Sequence, residues 1–439
     1  MKNYKGVQFS IIFLISFLLQ YSGYCQEIIQ VAIHPGETMY AHSGESISIF
    51  SDISNSGSLA SAKDSKINFL GQRWENKAGS SMPDESSSGV DGTGGNFMFA
   101  GTASSSQYIN SSNNPLPNSG FPNISLANSR NVILEGSNLM VRNNLNFESG
   151  HLILNKSNAL IGKKASITGY NETKFIVTGT GVNGGFLIRS TSGKQQEDIV
   201  FPVGTTVDSY TPASLNYTGI TQNLKVRVFE NVYEKATYGM PVNDNFVTKT
   251  WNLSSDFVDP NAILTFNMQH NSRDEGSQFA ISRNESFVSM FQSIADNWDV
   301  ISAAGVSPGV ITSGNRLLNS FVSSRKNISG LFLNEYFSKL VMKSNTTSGL
   351  RISAGISPNN DGINDRFVIE NLKPTDKVRI EIYNSWQNIV YRDSNYKNTF
   401  EGIGNQNGLN NNTLPDGTYY YIINVNDSKP ELGHIIINR

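Results

Sequence analysis

The stretch NLMVRNNLNFESGHLILNKSNALIGKKASIT, residues 138–168, decides the fold prediction for the first half of the chain. It consists of short apolar segments separated by glycine, serine and asparagine, as expected for short strands joined by turns. The successive spacings are 6, 7, 8 and 7 residues between the markers Leu139, Leu145, Leu152, Leu160 and Ile167. Segments this short cannot bury an apolar face alone and must stack on their neighbours. The pattern predicts a β-solenoid, with an antiparallel meander as the alternative.

Longer strands are predicted farther along the chain. Apolar and polar residues alternate over residues 224–228, 247–253 and 264–268. A period of two over five or more residues is typical of half-buried antiparallel strands, as in a β-sandwich. Residues 331–342 fit either a short helix or a strand.

Composition supports an all-β fold and excludes some functions. Only 16% of the 439 residues are charged, and asparagine, serine, threonine and the 38 glycines favour strands and turns over long helices. The net charge of −2 provides no basic field for nucleic acid, so we expect no nucleic-acid partner. Cys25 is the single cysteine, so no internal disulfide can form.

The first 25 residues have the pattern of a signal peptide. Lys2 and Lys5 precede the apolar run of residues 11–19, and small residues lead up to Cys25. The run is too short to span a bilayer, and we expect no transmembrane span. A lipid-anchored Cys25 is the alternative, but the bulky Tyr24 precedes it where lipidation motifs have a small residue. We therefore expect export through the periplasm to the cell surface or medium.

These observations divide the chain into five predicted parts. They are a signal peptide (1–25), a β-solenoid-like or irregular β region (26–190), a β-sandwich (191–343), a linker (344–349) and a C-terminal Ig-like β-sandwich (350–439).

The last part carries a series of motifs. In chain order they read SPNNDGINDRF (357–367), VRIEIYN (378–384), IVY (389–391), YKNTFEG (396–402), LPDGTYYY (414–421) and GHIIINR (433–439). In order and position they resemble the gliding-motility-associated C-terminal domain, the type B sorting domain of the Bacteroidetes type IX secretion system. Two departures are present: Asn360 stands where glycine is usual, and Ser385-Trp386-Gln387 replaces Arg-Trp-Gly.

The resemblance implies passage through the outer membrane, and it implies partners in the type IX machinery together with an outer-membrane protein. The residues that match the sorting motif are Ser357, Pro358, Asn359, Asp361, Gly362, Asn364, Asp365, Phe367, Asn384, Trp386, Tyr391, Gly402, Pro415, Gly417, Thr418, Tyr419, Gly433 and Arg439.

Part of this motif has the composition of a calcium loop. Asp361, Asn364 and Asp365 offer oxygen ligands around a glycine, which suits a hard cation. The alternative is a turn in which these side chains bond their own backbone, and such a turn needs no metal. We expect no other cofactor.

Two further motifs match catalytic patterns without the required context. Residues 179–184 read G-x-G-x-x-G, but a strand-like segment follows where a dinucleotide site needs a helix. Residues 305–309 read G-x-S-x-G, but no helix follows, and His434 in the last part is the only later histidine. We predict no catalytic residue.

The sequence therefore predicts an all-β protein of the cell surface, adhesin-like or structural, whose ligand is an extracellular polysaccharide or a host or surface polymer. One alternative is a polysaccharide-acting enzyme built on a β-helix. Its acidic and basic groups would have to cluster on neighbouring coils, where the basic candidates are Lys163, Lys164, Lys174 and Arg189. The other alternative is a glycan-binding module in which tryptophans stack on sugar rings.

Overall fold

The computed structural model describes residues 30–101, 104–111, 117–193, 198–300, 305–311, 319–342, 350–373, 375–409, 411–426 and 430–439. The predicted signal peptide with Cys25 and the predicted linker lie outside these ranges. The all-β prediction is confirmed, because the described residues form many strands and only a few short helical segments. No helix within the described ranges is long and apolar enough to cross a membrane.

The strands of the first half are short and numbered in chain order. They are β1 (Gln30–Ile33), β2 (Thr38–Ala41), β3 (Ser46–Ile49), β4 (Asp52–Asn55), β5 (Ser58–Ser61), β6 (Lys66–Phe69), β7 (Arg73–Asn76), β8 (Asn96–Phe99), β9 (Gln107–Asn110), β10 (Phe121–Ala127), β11 (Val132–Leu134), β12 (Leu139–Ser149), β13 (Leu152–Ile153), β14 (Ala159–Ile161), β15 (Ser166–Thr168), β16 (Ile176–Val177), β17 (Leu187–Ser190), β18 (Ile199–Phe201) and β19 (Val203–Gly204).

Parallel pairing organises this half into stacked coils. One sheet has the order β1-β4-β7-β9-β11-β13-β16-β19, and a second runs β3-β6-β8-β10-β12 and continues through β14 to β17. Every pairing within these two runs is parallel. An antiparallel meander would pair neighbouring strands in the opposite sense, so that alternative is wrong for these strands, and the stacked-coil arrangement is present.

The spacing of 6 to 8 residues between the marked segments is that of the sides of a coil and not of a whole coil. Leu145 pairs with Ile167 in the next coil, 22 positions later, and Asn96 pairs with Asn123, 27 positions later. The segments marked by Leu139 and Leu145 also lie in the single strand β12, which pairs in succession with β14 and β15. Turns separate the sides within a coil as well as successive coils, so the sequence shows the sides more clearly than the full coil.

The second half contains longer strands and the short helices. The strands are β20 (Ala213–Thr218), β21 (Asn223–Glu230), β22 (Tyr233–Lys235), β23 (Tyr238–Pro241), β24 (Lys249–Ser255), β25 (Asp259–Asn271), β26 (Phe287–Gln292), β27 (Asn297–Trp298), β28 (Ser307–Pro308), β29 (Ser320–Leu331) and β30 (Asn334–Leu340). Helix α1 is Ser277–Ile281, and the 3-10 helices are Pro117–Ser119, Asn243–Asn245, Ser272–Asp274 and Arg283–Glu285.

Two antiparallel layers pack face to face in this half. The β18-β20-β25-β29-β28 sheet faces the β27-β26-β30-β24-β21-β17 part of the long sheet, and Phe266 contacts Phe337 between them. The ambiguous residues 331–342 contain strand β30. Pairing changes from parallel to antiparallel at β17, but the long sheet continues across this change. One apolar core includes residues from Ile33 to Val341 and therefore spans both halves.

The C-terminal strands are β31 (Arg351–Ile352), β32 (Gly355–Ile356), β33 (Ile369–Glu370), β34 (Val378–Tyr383), β35 (Ile389–Asp393), β36 (Gly417–Val425) and β37 (Glu431–Ile437). They form a β32-β37-β36-β34-β35 sheet and a small β31-β33 sheet. These strands enclose a separate apolar core that includes Phe367, Tyr396 and Tyr421. The arrangement is consistent with the predicted sandwich.

Candidate functional site

Outward-facing side chains form two parallel rows, or files, across the sheet that begins with β3. We call the two files together the polar ladder. The first file is Ser46, Lys66, Asn96, Asn123, Asn144 and Ser166, and the second is Ser48, Asn68, Met98, Ser125, Asn146 and Thr168. Neighbouring strands lie about 4.8 Å apart, so the ladder repeats at that spacing. Most of its side chains are exposed or half-buried, while Ser125 is buried.

Hydrogen bonds between coils hold the ladder side chains in place. The Asn68 amide donates to the Ser46 hydroxyl at 3.1 Å. Ser166 donates to Asn144 Oδ1 at 2.8 Å, and Thr168 donates to Asn146 Oδ1 at 3.0 Å. Each amide retains further donor or acceptor positions for a ligand. The ladder is therefore an ordered and nearly uncharged array in which Lys66 is the only charged member.

Sequence analysis missed the ladder, although part of its signal is visible. The triplets Ser-Ile-Ser (46–48), Asn-Leu-Asn (144–146) and Ser-Ile-Thr (166–168) each place two polar residues on one face of a strand and an apolar residue on the other. Only the register between coils shows that these pairs lie in line.

A second concentration of chemical groups is buried inside the sandwich. The Lys339 ammonium nitrogen lies 2.8 Å from His270 Nδ1, and His270 Nε2 lies 2.9 Å from Glu275 Oε1. Arg283 forms two bonds of 2.6 Å to the Glu275 carboxylate. His270 and Lys339 are both 0% exposed, so a substrate cannot reach them. The cluster joins β25, β30 and the helical segment after β25.

Burial sets the protonation of this cluster. It lowers the pKa of His270 to about 3, and the nearby Lys339 charge acts in the same direction. Burial also lowers the pKa of Lys339 well below its ordinary value. A neutral His270 with its proton on Nε2 accepts from Lys339 and donates to Glu275, which satisfies both ring nitrogens.

The His270 site predicts a pH effect on stability. Between pH 6.5 and about 3 the unfolded His270 binds a proton that the folded residue does not, so stability falls as the pH falls through this window. From pH 7 to pH 5 we expect this residue to remove about 2 kcal/mol from the free energy of unfolding. Burial raises the pKa of Glu335 to about 7, which acts in the opposite direction. The measurement is therefore the difference between wild type and His270→Gln in denaturant unfolding at both pH values. An identical pH dependence in the two proteins would contradict the assignment.

The structure also shows where the two motifs without catalytic context and the tryptophans of the glycan-binding alternative lie. The G-x-G-x-x-G segment leads into strand β17 and not a helix, so it is no dinucleotide site. In the G-x-S-x-G segment Ser307 lies in strand β28, and part of its surroundings (301–304, 312–318) lies outside the described residues. Trp74 and Trp251 are fully buried in the core, where they cannot stack on a sugar.

The C-terminal turn at residues 357–365 is held by its own side chains. Asp365 Oδ1 accepts the Asn360 N–H at 2.8 Å, and Asp365 Oδ2 accepts the Gly362 N–H at 2.9 Å. Asp361 Oδ1 accepts the Ile363 N–H at 2.8 Å. These bonds are those of the turn interpretation. Within the described residues, no three histidine, cysteine, aspartate or glutamate side chains group as metal ligands.

A second set of motif residues meets around the Arg439 side chain. Its guanidinium donates to the Leu414 carbonyl at 2.6 Å and to the Gly402 carbonyl at 3.1 Å, and it pairs with Asp416 at 3.1 Å. Gly402 has a φ of +72°, and a Cβ there would lie 2.6 Å from the Arg439 guanidinium. The bonds bring the 402 turn, the 414–417 turn and Arg439 together.

The remaining motif residues belong to the core or to the surface. Phe367, Tyr391 and Tyr419 pack in or against the core, and Gly433 pairs with Tyr421 in the sheet. In contrast, Trp386 is 79% exposed on the β34–β35 hairpin. Asn384 Oδ1 holds that turn by accepting the N–H groups of Trp386 and Asn388. Ser357 bonds within its own turn, and Pro358, Asn359, Asn364, Pro415, Gly417 and Thr418 lie in turns or at strand starts.

Comparison with known families identifies this part of the chain. Residues 350–437 match the CHU_C type IX secretion signal domain. The C-terminal domain is a type IX secretion signal domain. The signal directs the chain through the type IX secretion system to the cell surface or extracellular space, and it implies interaction with that machinery. No curated protein and no solved structure matches the chain.

Both departures in the secretion signal domain fall at left-handed positions. Asn360 has a φ of +63°, and so does Gln387 next to Trp386. Asparagine adopts this conformation more readily than most residues, so Asn360 replaces the usual glycine at small cost. Gln387 has no such advantage, and it directly follows the exposed Trp386 in the chain.

Proposed function

We propose that the protein is a non-catalytic, adhesin-like protein of the cell surface that binds a neutral polysaccharide through the polar ladder. The observation that carries this proposal is the ladder itself, an array made mainly of amides and hydroxyls across successive coils. The secretion signal domain supports it by placing the chain where such polymers occur.

The chemistry of the ladder favours an uncharged ligand. Amides and hydroxyls both donate and accept, so they complement sugar hydroxyls. An anionic polymer would instead need a row of arginine or lysine, and a cationic polymer would need a row of carboxylates. Lys66 alone does not form such a row.

Preorganisation favours binding over a long contact. The bonds of Asn68, Asn144 and Asn146 to neighbouring coils restrict their rotamers before a ligand arrives. Binding therefore costs less side-chain entropy than it would with free amides. A polymer that lies along the coil axis can contact several rungs at once, so weak single contacts add together.

The basic residues required by the enzyme alternative bond the backbone or lie apart. The Arg189 guanidinium donates to the carbonyls of Ala165 and Val200, and the Lys174 ammonium nitrogen lies 3.4 Å from the Glu148 carbonyl. Lys163 and Lys164 are exposed at a corner between β14 and β15. This arrangement supports a binding role without catalysis.

Binding to insoluble polysaccharides tests the proposal. The full chain is mixed with cellulose and other neutral glycans and with pectin and alginate, and bound protein and released sugar are measured. We expect retention on a neutral glycan, no chain cleavage, and about tenfold weaker retention for the double variant Asn68→Lys with Thr168→Lys, which replaces two ladder residues by charged ones.

The matched control places the same two charges on two other sheets of the coil region, in its first coil. Gln30→Lys with Thr38→Lys changes exposed residues in β1 and β2 and should bind as the wild type does. Equal retention of the ladder variant, binding to anionic glycans alone, or release of sugar would each refute the proposal.

A further inference from the structure

The five-stranded sheet in the secretion signal domain has large apolar residues on its outer face as well as on its inner face. An antiparallel sheet with one face on the core normally alternates apolar and polar residues. The inner face follows this rule and supplies the core residues Val378, Ile380, Ile382, Tyr419, Tyr421, Ile423, Ile435 and Ile437. The outward positions of β36 and β37 are also largely apolar: Tyr420, Ile422, Leu432 and Ile436.

The strand register brings these outward residues into one surface, which we call the outer face. Tyr420 pairs with Tyr383 on one side and His434 on the other, and Ile422 pairs with Leu432. Tyr420 is 53% exposed and Leu432 is 67% exposed, so no described part of the chain covers them.

Charged groups lie at one edge of the outer face. Glu381 pairs with Arg392 at 3.0 Å, and Tyr383 donates to the Glu381 carboxylate at 2.6 Å. An apolar centre beside a polar rim is the general pattern of a protein interface, where the buried centre contributes most of the affinity. A cluster of exposed large apolar side chains on one face marks an interaction site.

We infer that the outer face is the surface by which the secretion signal domain docks on a protein of the type IX machinery. The inference rests on the export role of this domain, which requires a partner in that machinery. The inner face is already used by the core, so the outer face is the part of the sheet that remains free for this partner. The partner must present an apolar surface that packs against Tyr420 and Leu432.

Export of a charge-substituted full chain tests the inference. The double variant Tyr420→Lys with Leu432→Lys replaces the two exposed centre residues and leaves the inner core unchanged. In a host with an active type IX system, we expect about tenfold or greater loss of surface protein, because charges placed at an interface centre are strongly unfavourable. The control Ser394→Lys with Asn412→Lys adds the same charges at exposed turn positions of the domain and should be exported normally. Thermal unfolding of the purified chains is measured to check that both variants are folded.

Each outcome has a distinct meaning. Loss of export in the folded outer-face variant alone supports the inference. Normal export of that variant refutes the inference. If analytical ultracentrifugation then showed a wild-type dimer that the substitutions convert to a monomer, the outer face would be assigned to a second copy of this chain. Equal loss in the control also refutes it, because the effect would follow added charge and not the face. Export of a chain that lacks the whole domain would instead show that the export role itself is wrong.

Discussion

A chain truncated after Asn345 is expected to remain inside the cell, while the full-length chain reaches the surface of a host with an active type IX system. The truncation removes the whole secretion signal domain, residues 350–437, and with it the surface that the machinery recognises. The expected change is from normal surface display to background. Antibody labelling and protease treatment of intact cells measure it.

The structure indicates that the truncation leaves the rest of the chain folded. The large core runs from Ile33 to Val341, whereas the C-terminal core begins at Leu350, so the cut separates two cores without dividing either. Circular dichroism of the purified truncated chain should show β structure. The full-length chain in a strain without type IX export is the matched control and should also stay inside. Surface display of the truncated chain at the full-length level would show that the C-terminal domain is not needed for export.

Replacing Trp74 by alanine is expected to cause a large loss of stability in the N-terminal coils. Trp74 is fully buried and contacts four phenylalanine rings at centroid distances of 5.3 to 5.8 Å. Its indole nitrogen donates to Asn76 Oδ1 at 3.0 Å. Removal of a buried tryptophan leaves a cavity and costs about 3–5 kcal/mol. The measurement is guanidinium unfolding followed by circular dichroism.

Trp386 provides a control of the same residue type. Its side chain is largely exposed, so Trp386→Ala should change the free energy of unfolding by no more than about 0.5 kcal/mol. Similar destabilisation by both substitutions would mean that the aromatic stack around Trp74 does not hold the coils together.

Local sequence was sufficient for the fold class and for the C-terminal domain. The strands follow from apolar residues between turn residues, and both features act within a few positions. The secretion signal domain was found because its motifs lie in order along one segment of residues 357–439. The Asp361–Asp365 turn was also anticipated as one of two alternatives, because the side chains of such a turn bond backbone only two to six residues away.

Long-range packing accounts for what the sequence did not show. Lys339 occupies a strand position where lysine normally faces solvent, and its burial depends on His270, 69 residues earlier. The length of a whole coil is not visible in the sequence. Local turns mark the sides of a coil, whereas the coil itself is defined by parallel partners 20 or more residues apart.

The all-β class and the type IX secretion signal domain are both predictable from the sequence alone, because strand formation and an ordered motif depend on neighbouring residues. Which of the many asparagines, serines and threonines form the polar ladder depends instead on the tertiary structure. Asn96 and Asn123 are 27 positions apart, while Asn144 and Ser166 are 22 apart, yet both pairs are neighbours in the same file. Loops of different length separate these partners, so their alignment is set by the hydrogen-bond register of the stacked coils and not by any fixed spacing along the chain.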